Sequence, residues 1–223
     1  MNKQLKKTIF STEILFFGGL GVFCLLLSIF RVWMSGTSFY LFLNWNLFLA
    51  YIPWFLLLGL SSFQNLKNKK ALVGVVLLTW LVFFPNAPYI LTDLFHLRMR
   101  SSVPIWYDLI MILFFAWVGL LVGFVSLWRV EKILSQFMGS KSRSMLITFM
   151  LFLSAFGVYL GRFLRWNTWD IVNNPHTLFV DITDRFLHPM THPRTWGMTI
   201  FMGVLLCVFY WSFRLVRTKQ LFS

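Results

Sequence analysis

Six long apolar stretches dominate the chain. They run from about Ile14 to Phe30, Ser38 to Leu60, Ala71 to Leu91, Ile105 to Trp128, Met145 to Trp166 and Trp196 to Phe213. Each approaches the ~20 residues that a helix needs to cross ~30 Å of hydrocarbon. In lipid, every backbone N–H and C=O must be satisfied within helices or a closed barrel. Barrel strands would be about ten residues long with alternating character, and these runs show neither property. The fold class is therefore all-α: a polytopic membrane helix bundle of about six transmembrane helices. Composition agrees, since 58% of the 223 residues are hydrophobic and only 12% are charged. A soluble domain carries roughly 25% charge. Cys24 and Cys207 both lie inside apolar runs, so no disulfide scaffold is expected.

The distribution of Lys and Arg sets an orientation. Every lysine, and thirteen of the twenty basic residues, fall before the first run, after the second, after the fourth or in the tail. Clusters such as Lys3, Lys6 and Lys7, or Lys67, Lys69 and Lys70, place both termini in the cytoplasm. A signal-peptide reading of the N-terminus fails for want of a small-residue cleavage site, so a retained signal anchor is expected. The net charge of +13 then reflects this rule and attraction to membrane lipids, with no nucleic acid as partner. All four histidines, and five of the seven acids, fall on the opposite side. A functional site should open there.

No repeat or interdomain linker is present, so residues 1–223 read as a single integral membrane domain. The one long loop runs from Asn167 to Thr195, between spans five and six. Within it Leu178, Phe179, Ile182 and Phe186 recur at helical spacing. Asn174-Pro175 can start this segment and His188-Pro189 should end it. A short interfacial helix is expected, with Asp181, Asp184 and Arg185 capping the bundle. Trp45, Trp54, Trp106, Trp166, Trp169 and Trp196 read as belt residues.

The third run contains Pro85 and Pro88, which remove two backbone donors and should break the helix. Such a break belongs inside the protein or beside water. Beyond it Asn86, Tyr89, Asp93 and His96 are spaced three, four and three apart, which puts them on one helical stripe. Asp93 and His96 can then touch. The pair could orient a general base, begin a divalent metal site with a loop histidine, or be a paired charge. Asp108 lies about one turn into the fourth run, where a carboxylate needs a partner. Arg162 or Arg165, at matching depth in the fifth run, is the expected partner of Asp108 or of Asp93; alternatively one of them holds an anionic headgroup. His188 and His192 are four apart, but Pro189 and Pro193 make that a poor metal signal. Asn44 or Asn46 could bond another helix or line a cavity. Gly119/Gly123 and Gly157/Gly161 are close-packing faces, within the bundle or between the protomers of a homo-oligomer.

Taken together, Phe84-Pro85-Asn86-Ala87-Pro88-Tyr89, Thr92-Asp93-Leu94, His96, Trp106-Tyr107-Asp108 and Gly161-Arg162-Phe163-Leu164-Arg165-Trp166-Asn167 resemble the bacterial membrane family called domain of unknown function 1361. The resemblance extends from about the second span to the last. It implies a bacterial multi-span protein of the cytoplasmic membrane, and no reaction, ligand or catalytic residue.

Three functions compete. The first is a membrane-embedded hydrolase or transferase acting on a lipid or lipid-linked anion. In it Asp93 and His96 handle the proton, Arg162 and Arg165 hold negative charge, and Asn86 or Tyr89 donates to an oxyanion. The second is a transporter or lipid-translocating protein, which calls for a polar path reaching both faces. The third is a non-enzymatic assembly subunit, for which the charges should be fully paired and no cavity should remain.

Overall fold

The computed structural model describes residues 3–61, 69–99 and 103–218, with side chains described for 12–60, 69–99 and 103–216. Of the charges considered above, Lys67, Arg100 and Lys219 and the side chains of Lys3, Lys6, Lys7 and Arg217 lie outside the described residues. The apolar runs form α1 (Lys3–Ser35), α2 (Phe42–Ser61), α3 (Lys70–Phe83), α5 (Ile105–Leu134), α6 (Ser140–Phe163) and α9 (Pro193–Thr218). Six candidate spans are long and apolar enough to cross a membrane, the third running through the break from Lys70 to His96. No strand joins these helices among the described residues.

α5 is the centre of the bundle. Two-thirds of its most apolar window (67%) is buried, against 17% for α1. One apolar cluster packs α5 against α1 and α2 through Tyr40, Trp54, Ile112 and Phe115. A second packs α5 against α3, α6 and α9 through Trp80, Phe84, Leu151 and Tyr210. Lipid tails are as apolar as leucine, so burial alone does not drive these contacts; close packing and interhelical polar bonds do. Trp80 donates to Ser126 Oγ on α5 at 3.0 Å, and Asn44 donates to Ser28 Oγ on α1 at 2.9 Å. Trp54, expected in the belt, is 1% exposed and donates to Glu13 instead.

The proline break takes a definite form. α3 ends at Phe83; a single turn, α4 (Asn86–Tyr89), follows, and then a 3-10 helix from Ile90 to His96. Seven residues is long for a 3-10 helix. The Ala87 N–H turns to Phe84 O, leaving Phe83 O to be taken by the Asn86 side-chain amide at 2.8 Å. The break is closed in by glycines on both sides. A Cβ on Gly123 would lie 2.7 Å from Ala87 Cβ, and one on Gly119 would lie 2.8 Å from Ile90 Cδ1. On α6, a Cβ at Gly157 would lie 2.9 Å from Pro85 Cγ, and one at Gly161 would lie 3.1 Å from the Tyr89 ring. Both glycine pairs thus pack against the break within the chain.

The loop between α6 and α9 holds a short turn, α7 (Asp170–Asn173), which the sequence reading missed, and α8 (Pro175–Leu187) at the predicted bounds. α8 is amphipathic in two directions. Phe179, Val180, Phe186 and Leu187 are exposed, while Asp181 accepts from Trp166 and Asp184 meets His192. The acidic face thus bonds to the loop on either side of the helix, at Trp166 and at His192.

Gly123→Val and Gly157→Val should each lower unfolding stability in detergent by about 1–3 kcal/mol through overpacking at the break. Gly74→Ala, where a Cβ meets nothing within 4 Å, should not. Thermal unfolding followed by tryptophan emission separates the two classes.

Candidate functional site

The polar residues of the 3-10 helix are gathered by one side chain. Arg162, on the last turn of α6, donates from Nε to Thr92 Oγ1 at 2.7 Å, from one Nη to His96 Nε2 at 2.8 Å, and from the other to the Asp93 carboxylate. Its guanidinium also lies 4.5 Å from the centroid of the Tyr89 ring. Residues three apart eclipse in a 3-10 helix, so Tyr89 and Thr92 form one row, and Asp93 and His96 another. The flat guanidinium bridges both rows. A guanidinium can only donate, so His96 Nε2 accepts, and the neutral imidazole carries its proton on Nδ1. The second Asp93 oxygen accepts from Asn46 Nδ2 at 2.9 Å. Asp93 is 1% exposed.

This changes two sequence expectations. Asp93 and His96 do share a face, but Arg162 stands between them where direct contact was expected. A divalent ion on that pair would have to displace a cation. No group of three His, Cys, Asp or Glu suited to a metal lies together among the described residues. Asp93, with both oxygens bonded, is not a free base.

Asp108 has a different partner from the one expected. Arg31, near the end of α1, donates to its two oxygens at 3.2 and 3.4 Å, with both side chains 1% exposed. Arg162 and Arg165 do not reach it. The pair forms because α1 runs up and α5 runs down, so their charges meet at one depth. That signal was present in the sequence: one basic and one acidic residue at matching ends of two apolar runs. Arg31 further donates to Thr37 Oγ1 at 2.6 Å and lies 4.8 Å from the centroid of the Tyr40 ring. Tyr40 OH donates to the His96 carbonyl at 3.1 Å. The two charge clusters are therefore joined through Tyr40.

Arg165 departs from Arg162 despite the three-residue spacing. α6 ends at Phe163, and Arg165 has φ 62°, a left-handed conformation that favours glycine. The Trp166 N–H then closes on Leu160 O at 3.2 Å. Arg165 is exposed and makes no ion pair or hydrogen bond among the described residues.

Beside the charge cluster lies a cleft of about 170 Å³. α2 contributes Trp45, Asn46 and Leu49; the break contributes Pro85, Asn86 and Tyr89; α6 contributes Gly157 and Gly161. Trp166, Asn167, Thr168 and Trp169 form the far wall, with Leu178 of α8. Asp93, His96, Asp108 and Arg162 do not line it. The cluster reaches the cleft only through Asn46, which holds Asp93, and Tyr89, which underlies Arg162. Asn86 has both amide hydrogens engaged, on Phe83 O and on Thr168 Oγ1 at 3.1 Å. It cannot be the oxyanion donor expected of it. The Tyr89 hydroxyl has no hydrogen-bond partner among the described residues. Thr168, Trp166 and Trp169 were not recognised as site residues in the sequence, because nothing in a loop's spacing tells which helices it will cover.

Residues 45–209 match the model of a family described as a protein of unknown function (DUF1361). No curated protein and no solved structure matches the chain.

Removing one member of a buried ion pair leaves an uncompensated charge, at a cost of about 3–5 kcal/mol. Arg162→Met and Arg31→Met should each lose stability on that scale. The pairs Arg162→Met with Asp93→Asn, and Arg31→Met with Asp108→Asn, should recover most of it in thermal unfolding. Arg165→Gly, by contrast, should leave stability unchanged or raise it by up to about 1 kcal/mol, since glycine relieves the left-handed backbone.

Proposed function

The chain belongs to the family of proteins of unknown function DUF1361, and from that premise we propose a role for its cleft. The protein is an integral membrane protein, one domain from end to end, that binds the headgroup of an anionic lipid or lipid-linked molecule. The cleft faces the extracytoplasmic side of a bacterial cytoplasmic membrane, with both termini in the cytoplasm. The asymmetry of Lys and Arg supports that orientation.

The observation that carries the reading is that the cleft stays open although the carboxylates around it are paired. Asp93 and Asp108 are each held by an arginine, which a purely structural subunit would also need. Such a subunit has no use for a cleft beside them. Arg165 supplies a free cation. Arg31, Arg162 and Arg185 have carboxylate partners, whereas Arg98, Arg165 and Arg194 form no ion pair among the described residues, and of these Arg165 directly precedes Trp166 and Asn167 of the cleft wall. Residues held in strained backbone conformations cluster at binding and catalytic sites.

An enzyme acting on the same lipid is the second reading. One observation favours it: His96 is half-buried rather than sealed, and its tautomer is fixed by Arg162. In that reading His96 handles the proton, and Asp93 positions it through Arg162. Transport has less support. The carboxylates and arginines of the two ends form separate clusters, around Asp93 and Asp108 at one and around Glu13 and Glu131 at the other.

The test is lipid retention. Protein in nanodiscs of phosphatidylglycerol and phosphatidylcholine in equal amounts is released and weighed by native mass spectrometry. Phosphatidylglycerol should be retained in preference, and Arg165→Gln should lower that preference about fivefold, the effect of ~1 kcal/mol per surface charge. Equal retention of the two lipids by the unaltered protein overturns the proposal.

A further inference from the structure

The atoms of the cleft wall narrow the headgroup class; this step rests on the lipid-binding reading above. None of the residues lining the cleft is ionised. Some of its donors are already engaged. Asn86 gives both hydrogens to Phe83 O and Thr168 Oγ1, Asn46 gives one to Asp93, and Trp166 gives its indole N–H to Asp181. The carbonyl and carboxylate partners fix which end of each amide is nitrogen. The amide oxygens of Asn46 and Asn86 consequently remain without a partner among the described residues. An amide oxygen can only accept. It disfavours a phosphate oxygen and suits a hydroxyl group. Thr168 Oγ1 already accepts from Asn86, which leaves its hydrogen available, and the Tyr89 hydroxyl is also unengaged. The wall therefore offers both acceptors and donors, the indole N–H groups of Trp45 and Trp169 having no hydrogen-bond partner among the described residues, and a polyhydroxylated group uses both.

The aromatic part of the wall fits the same kind of group. Trp45 and Trp169 lie 6.3 Å apart, inclined at 57°, and are 52% and 41% exposed. Both line the cleft together with Asn46 and Asn86. Indole faces are electron-rich and attract polarised C–H groups, which a sugar or cyclic polyol presents on its flat side. The cleft's size of about 170 Å³ is close to the ~150 Å³ cavity that takes one benzene ring, so it admits a single ring. Arg165 is exposed, lies outside the lining and directly precedes Trp166, so it is the cation assigned to a phosphate linked to that ring.

We infer that the cleft takes the sugar or cyclic polyol of a lipid whose phosphate carries it, with the ring held by Asn46, Asn86, Trp45 and Trp169 and the phosphate by Arg165.

The experiment uses the full chain in phosphatidylcholine nanodiscs, doped with a small fraction of one probe lipid at a time. The probes are phosphatidylinositol (a cyclic polyol on phosphate), monoglucosyl diacylglycerol (a sugar without charge) and phosphatidic acid (phosphate alone). Retained lipid is counted by native mass spectrometry. Phosphatidylinositol should be retained about tenfold over phosphatidic acid, a factor that one or two net hydrogen bonds supply. Monoglucosyl diacylglycerol should exceed phosphatidylcholine. Trp169→Ala, an exposed site where folding is not at risk, should abolish the preference for both ring-bearing probes and leave phosphatidic acid unchanged. Arg165→Gln should lower retention of phosphatidylinositol and phosphatidic acid and leave monoglucosyl diacylglycerol unchanged. If phosphatidic acid equals or exceeds phosphatidylinositol while the glucosyl lipid stays at the phosphatidylcholine level, the site reads charge alone. The ring assignment then falls while lipid binding stands. If no probe exceeds phosphatidylcholine, both fall.

Discussion

A membrane span that contains two prolines loses backbone hydrogen bonds which lipid cannot replace. Here the repair comes from within the protein. Asn86 takes a freed carbonyl with its own side chain, and glycines on α5 and α6 let two helices close directly on the broken stretch. The rest of the site follows. The tight approach of α6 sets Arg162 against the 3-10 helix, and the eclipsed spacing of that helix presents Thr92, Asp93 and His96 to one guanidinium.

The opposite end of the bundle is built differently. Glu13 of α1 accepts from Arg129 of α5 and from Trp54 of α2. Glu131 of α5 meets Arg143 of α6, Arg214 and Tyr210 of α9. Two carboxylates thus tie five helices together at the end where most basic residues lie. At the other end a polar cleft lies beside the charge pairs. A polar group in lipid is costly enough to need a reason, and pairing alone does not account for that cleft.

Much of this was legible in the sequence. Runs near twenty residues gave six spans, Pro85 and Pro88 gave the break, and Pro175 and Pro189 bounded α8. Asn86, Tyr89, Asp93, His96 and Arg162 could be grouped because helical spacing reports which side chains share a face. What spacing cannot report is which face meets which neighbour. Asp108 was assigned to α6 by depth, yet α1 and α6 offered arginines at similar depth, and helix order around α5 decided between them. The glycine faces were legible as close-packing surfaces, but their partner is a stretch of chain without regular helix, which no helix-pairing rule anticipates. Arg165 was paired with Arg162 by spacing because the end of α6 falls between them. The cleft depended on where residues 166–169 fold back, and loop sequence carries little of that information.

The ion pair of Arg31 and Asp108 spans 77 residues of sequence. In synthesis the first helix reaches the membrane well before the fourth has left the ribosome. During that interval Arg31 lacks its carboxylate and must snorkel to headgroups or water at the membrane surface. Only when α5 enters can the arginine turn inward and bury. The seating of the first helix is therefore a late event in biogenesis, and α5 acts as the template on which the earlier helices settle.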